Sequence, residues 1–199
     1  MRSVLQQARG VPIVMVAALV IGWSAGCGRP ATPSSILIGA TLPLSGAESD
    51  LGRAFERGYK RAVDEANARG GLRIGERGSG VRVALELRDD KGDPSVVERL
   101  AEELYARGCL ALVATASDVR SAMQAALADR LGRPYVVNRT DAPGLPGSHQ
   151  QWVFSVAAAG EVDERAYQTA VALLAAIGEA GSSDVISIRN ALRARSPNP

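Results

Sequence analysis

Asp89, Asp90 and Asp93 place three carboxylates within five residues, enough oxygen to hold Mg²⁺ or Ca²⁺. The same residues have a simpler use. Asp93-Pro94 is a helix start, because aspartate caps free amides and proline suits the first helical position, and the other two suit a polar loop. Metal binding is therefore not expected. His149 is the single histidine, set among Gly/Pro turns with no nucleophile or metal-ligand cluster beside it, so it has no catalytic partner. Cys109 opens an apolar stretch after Gly108, which expects a packed thiol and not a reactive one. Trp152 is expected to belong to the core and not to a ligand clamp. Gly39, Gly46 and Gly52 do not form G-x-G-x-x-G, and no P-loop Gly-Lys-Ser/Thr occurs, so no nucleotide cofactor is implied. No base, nucleophile and oxyanion donor converge in the pattern, and the chain is not read as an enzyme.

The elements that must position any site alternate between two periods. Ile36 to Leu42 is an apolar run fit for a central parallel strand. Leu51, Phe55, Tyr59, Ala62, Val63 and Ala66 recur at helical spacing until Gly70-Gly71 stops them. Val81 to Leu87 returns to period two, as a strand with one wetter face. A helix from Pro94 buries Val97, Leu100, Ala101 and Leu104. Then come a strand at 110–114, a helix at 119–131, a strand at 134–137 and a short strand at 152–155. Such repeated crossovers predict an α/β fold: a doubly wound, three-layer open parallel sheet forming a single Rossmann-like lobe. Apolar residues make 46% of the chain but aromatics only 4%, so the core is expected to be aliphatic. In such sheets ligands sit beyond the carboxyl ends of the strands, which directs attention to residues 44–52, 88–93, 115–120 and 138–144.

The net charge of +2 comes from Arg2 and Arg9; beyond residue 26 basic and acidic residues balance. No Lys/Arg stripe interleaved with aromatics occurs in the body, so no nucleic-acid partner is expected. Arg2 and Arg9 precede an apolar run from Val11 to Gly22, shorter than the roughly 20 residues a spanning helix needs. Residues 1–26 therefore read as a signal peptide. Ser24-Ala25-Gly26-Cys27 resembles a bacterial lipoprotein box, with Ser24 where Leu is usual. That resemblance implies lipidation of Cys27, export to the periplasm or outer cell surface, and a lipid membrane as partner. Residues 27–35 then form a lipidated tether, and Cys109 is left without a disulfide partner.

Ile38-Gly39-Ala40-Thr41-Leu42-Pro43-Leu44-Ser45-Gly46, followed by Gly52, Gly58, Ala62, Glu65-Ala66-Asn67 and Gly70-Gly71, resembles the opening of type I periplasmic binding proteins. The branched-chain amino-acid (Leu/Ile/Val) substrate-binding branch of ABC transporters is the one it resembles. Asp89-Asp90-Lys91-Gly92-Asp93-Pro94 is similar to that family's next block. The resemblance implies a first lobe over residues 36–155. A helical segment at 156–195, with its stripe Ala166, Ala170, Val171, Leu173, Leu174 and Ile177 and a capped final helix through Leu192, packs on that same lobe. It also implies a chain shortened to this lobe, without the second wall that closes on a solute.

Family members hold a ligand carboxylate with hydroxyls and backbone amides in two turns. Here those turns carry Ser117 and Asp118, then Arg139, Thr140 and Asp141. Asp118 falls on or beside the expected serine and Asp141 on the expected threonine, and an ionised carboxylate repels another. An ordinary zwitterionic amino acid therefore fits poorly. Arg139 either pairs with an anion or joins the aspartates in a solvated loop network. Ser117 and Thr140 are either ligand hydroxyls or turn and helix caps. The reading is an exported solute-binding-like protein with weak or lost binding of a small amino-acid-like or charged solute, working with an ABC permease. The alternative is a single-lobe interaction or self-association module at the membrane surface.

Overall fold

A computed structural model describes residues 34–75, 79–115, 117–138 and 150–195. Cys27, Arg139, Thr140, Asp141 and His149 lie outside the described residues. The strands are β1 (Ser35–Leu42), β2 (Leu72–Ile74), β3 (Ser79–Asp89), β4 (Ala111–Val113), β5 (Tyr135–Asn138) and β6 (Val153–Val156). They form one sheet in the order β2-β3-β1-β4-β5-β6. All neighbours are parallel except β2, which pairs antiparallel with β3, Leu72 opposite Val81. The chain builds outward from β1 to β3, then crosses β1 to lay down β4, β5 and β6. The expected doubly wound sheet is present, with one antiparallel edge strand added.

Strand β1 explains why its sequence is a continuous apolar run. Ile36, Ile38, Ala40 and Leu42 enter one core, shared with α1 (Ser49–Ala68), α4 (Val162–Ala180) and α5 (Val185–Arg195). Leu37 packs into the other, under α2 (Pro94–Ala106) and α3 (Asp118–Leu131). Both faces are covered, so neither tolerates polar alternation. Each fully buried Leu or Ile here stabilises the lobe by about 2 kcal/mol relative to exposure.

Local signals set the helix limits. Asp93 accepts from the Ser95 amide at 2.8 Å and Pro94 opens α2, the arrangement expected from the sequence. Helix α1 begins at Ser49, and Gly70 and Gly71 leave it with φ of 96° and 84°, values that favour glycine. Helix α4 runs past Ile177 to Ala180 before Gly181 turns left-handed at φ 57°. Asp184 then accepts from the Ser187 amide and hydroxyl at 2.8 and 2.9 Å, and α5 continues past Leu192 to Arg195. The expected stripe Ala166, Ala170, Leu173, Leu174 and Ile177 is buried, while Val171 is half-buried. Its partner is α1, where Gly58 permits close contact: a Cβ there would lie 2.2 Å from the Asp163 carbonyl oxygen. None of the described helices is long and apolar enough to cross a membrane.

Candidate solute-binding mouth

The strand order reverses between β1 and β4, so the loops leaving their carboxyl ends diverge and open a crevice. The segment between β1 and α1, the turn between β3 and α2, and the turn between β4 and α3 form its rim.

Asp89 ends β3 and stitches the first two together. Its Oδ1 accepts from the amides of Leu44 (2.9 Å), Ser45 (3.2 Å) and Lys91 (2.9 Å), and its Oδ2 accepts from the Ser45 hydroxyl at 2.6 Å. Partial burial opposes ionisation, but these donors outweigh it and hold the carboxyl below the usual aspartate range. Asp90, next in sequence, goes the other way. It is fully buried, and burial pushes its carboxyl up against the opposing pull of the Gly92 amide at 2.9 Å and of the Arg120 charge. The three aspartates thus serve a stitch, a buried pair and a cap. Among the described residues no group of three or more His, Cys, Asp or Glu is placed to hold a metal ion.

Arg120, in the first turn of α3, is 2% exposed. Its Nη2 donates to Glu48 Oε2 at 2.6 Å and its Nη1 to the Gly92 carbonyl at 3.1 Å, while Nε lies 3.8 Å from Asp90 Oδ2. The bond from Arg120 holds the Glu48 carboxyl below its ordinary value, against a smaller effect of burial. Beneath this group, buried Gln124 donates to the hydroxyl of buried Thr41. The loops singled out in the sequence include Glu48 and end on Arg120, but their pairing, and the buried Thr41–Gln124 contact beneath it, were not foreseen. A charged or amide side chain on the sheet-facing side of a helix was the available signal.

The turn after β4 is supported from both layers. Tyr59 of α1 donates to the Ala114 carbonyl at 2.6 Å, and Ser121 of α3 donates to the Thr115 carbonyl at 3.3 Å. The Thr115 hydroxyl is buried with no hydrogen-bond partner among the described residues. Ser117 is half-buried at the N-cap of α3, yet its side chain makes no capping bond, so a hydroxyl and the first amides of a helix stand together at the crevice. Asp118 follows, exposed in the first turn. The structure therefore brings Ser117 and Asp118 to one helix end.

Two other sequence candidates lie away from the mouth. Trp152 is half-buried beside Gly132 at the far end of α3, its backbone amide bonded to Asp129 at 2.8 Å and Arg189 over its ring at 5.1 Å. Cys109 is buried, and desolvation pushes its thiol up to about 12, a packed and unreactive state.

A single doubly wound lobe with polar groups gathered at its switch point has the form of one half of a ligand-binding protein. The family model described as "Periplasmic binding protein" matches residues 35–164, more than half of the chain, and the chain belongs to that family. Leu/Ile/Val-binding protein homolog 8 of Brucella suis biovar 1 is 29% identical over 141 residues, covering 68% of this chain and 34% of its own length. The Leu/Ile/Val-binding protein BraC3 of Rhizobium johnstonii is 40% identical over 65 residues, covering 33% of this chain and 16% of its own. The branched-chain amino acid transporter substrate binding protein LivJ of Streptococcus pneumoniae, solved in complex with isoleucine, superposes with a TM-score of 0.50 at 25% identity. That match covers 61% of this chain and 33% of LivJ. The chain thus spans about a third of these relatives or less. The family and these relatives are described as binding proteins, not as enzymes.

Proposed function

We propose that this lobe supplies one wall of a site for a small amino-acid-like or charged carboxylate solute, in the service of an ABC permease. The observation that carries the reading is the N-terminus of α3 at the switch point, where half-buried Ser117 makes no side-chain capping bond to the first-turn amides. Helix amides and hydroxyls together suit a carboxylate. The proposed contact set is Ser117, Asp118, Arg139, Thr140 and Asp141. Asp118 and Asp141 shift preference away from a plain zwitterion, and Arg139 supplies the compensating charge.

One wall encloses only part of a solute, so the lobe by itself binds weakly. Residues 1–26 are proposed as the export signal, residues 27–35 as a tether lipidated at Cys27, residues 36–155 as the lobe and residues 156–195 as its closing helical segment. A self-association module is not favoured: among the described residues the exposed large apolar side chains are Val119, Leu131 and Ile186, of which only Val119 belongs to the rim.

A thermal-shift screen with leucine, isoleucine and small carboxylates tests the reading. A solute at one hundred times its Kd should add about 2.7 kcal/mol of stability. Ser117→Ala or Arg139→Ala should weaken affinity about tenfold, which cuts that stabilisation to about 1.4 kcal/mol at the same solute concentration. A melting temperature unmoved by every solute up to solubility would reject the site.

A further inference from the structure

Burying a guanidinium costs several kcal/mol, and a Leu or Met of similar reach would fill the same space without that cost. What arginine alone supplies is a planar fork of five donors that can meet several targets at once. The targets of Arg120 are unusual in their placement. Glu48 precedes α1 on the loop from β1, whereas Asp90 and Gly92 lie on the turn between β3 and α2; Arg120 itself is in the first turn of α3. One side chain therefore contacts all three parts of the rim. Gly92 turns at φ 76°, a conformation that favours glycine, and lies directly beside the pair: a Cβ on it would make ordinary contact with Glu48 Oε1 at 3.5 Å and Arg120 Nη1 at 3.6 Å. Asp89 joins the first two loops to each other through Leu44, Ser45 and Lys91, whereas Arg120 ties them to the helix end that carries Ser117.

We propose that Arg120 is the positioning residue of the mouth, holding the loops after β1 and β3 against the first turn of α3 and so fixing the spacing of the crevice before a solute arrives. Its consequence for affinity rests on the solute-binding reading above; the tie between the loops does not. Glu48 is the releasable arm, because its side chain is 45% exposed while Asp90 is fully buried.

Amide hydrogen exchange followed by mass spectrometry on the full chain, with no solute present, tests the tie. Arg120→Met should speed exchange about tenfold in segments 43–49 and 89–93, with the α4 amides from 166 to 177 unchanged. Arg120→Lys, which keeps the charge but loses the fork, should restore protection at 43–49 more than at 89–93. Glu48→Gln disturbs only the exposed arm, and should loosen 43–49 while leaving 89–93 protected. Glu48→Gln decides the matter if Arg120→Met fails to fold. Uniform acceleration across all segments, or none in the two loops, would overturn the proposal. Because the readout needs no ligand, a negative thermal-shift screen sinks the solute reading and leaves this test standing.

Discussion

The buried centre of the α1–α4 interface is apolar and close, with Tyr59, Ala62, Leu173 and Ile177 buried and backbone nearly touching backbone at Gly58. At the carboxyl edge of the sheet the buried groups are instead Arg120, Asp90, Thr41, Gln124 and Thr115, several of whose polar atoms lack a hydrogen-bond partner among the described residues. The first region gains stability from dispersion and exclusion of water. The second gives up stability, since each buried unpaired polar atom costs about 1–3 kcal/mol. That cost is understandable where orientation of polar groups, and not packing, is the product.

The comparison breaks most sharply at Gly58. Gly58→Ala forces a methyl group against the Asp163 carbonyl oxygen and the Ala166 side chain, and should destabilise the lobe by about 3 kcal/mol in urea unfolding. The mouth residues do not touch this contact, so the same variant should leave the relative exchange rates of the rim loops unchanged until global unfolding dominates.

A smaller effect, with a distinctive pH signature, is expected at Asp89. Its carboxyl is held below the usual range in the folded state, so its contribution is fully present above about pH 5, clear of the ordinary aspartate value. It is lost as the pH falls through the depressed folded value. Urea midpoints of wild type and Asp89→Asn should therefore differ above pH 5 and converge in acid. A gap that widens on acidification would contradict the stitch.

The smallest change is expected outside both regions. Arg130 spans Glu98 and Glu102 at 2.7 and 3.0 Å, but all three side chains are well exposed. Arg130→Ala should leave the unfolding midpoint within experimental scatter, because exposed pairs are screened and cost side-chain entropy.

The regular elements were legible because their signals are local. A continuous apolar run marked β1, period two marked β3, helical spacing marked α1 and α4, and Asp93-Pro94 marked the start of α2. Strand β2 escaped notice: Leu72, Arg73 and Ile74 are too few to show a period, and only pairing with β3 makes them a strand. The helix over Asp118–Leu131 was legible, but the role of its inner face was not. Its buried side includes Arg120, Ser121 and Gln124, which a hydrophobic pattern assigns to solvent. For the site, the resemblance directed attention to Ser117 and Asp118, and the structure sets both at one helix end.

The sequence by itself determined the alternation of strand and helix, the aliphatic two-sided core and the family, since periodicity, turn residues and short motifs act between neighbours in the chain. Tertiary structure decided the strand order that opens the crevice, the opposite fates of Asp89 and Asp90, and the meeting of Glu48 with Arg120 across 72 positions. The physical reason is that a charge takes its worth from its surroundings. Whether a carboxylate meets amides, a guanidinium or a dry core is fixed only when distant loops close on one another.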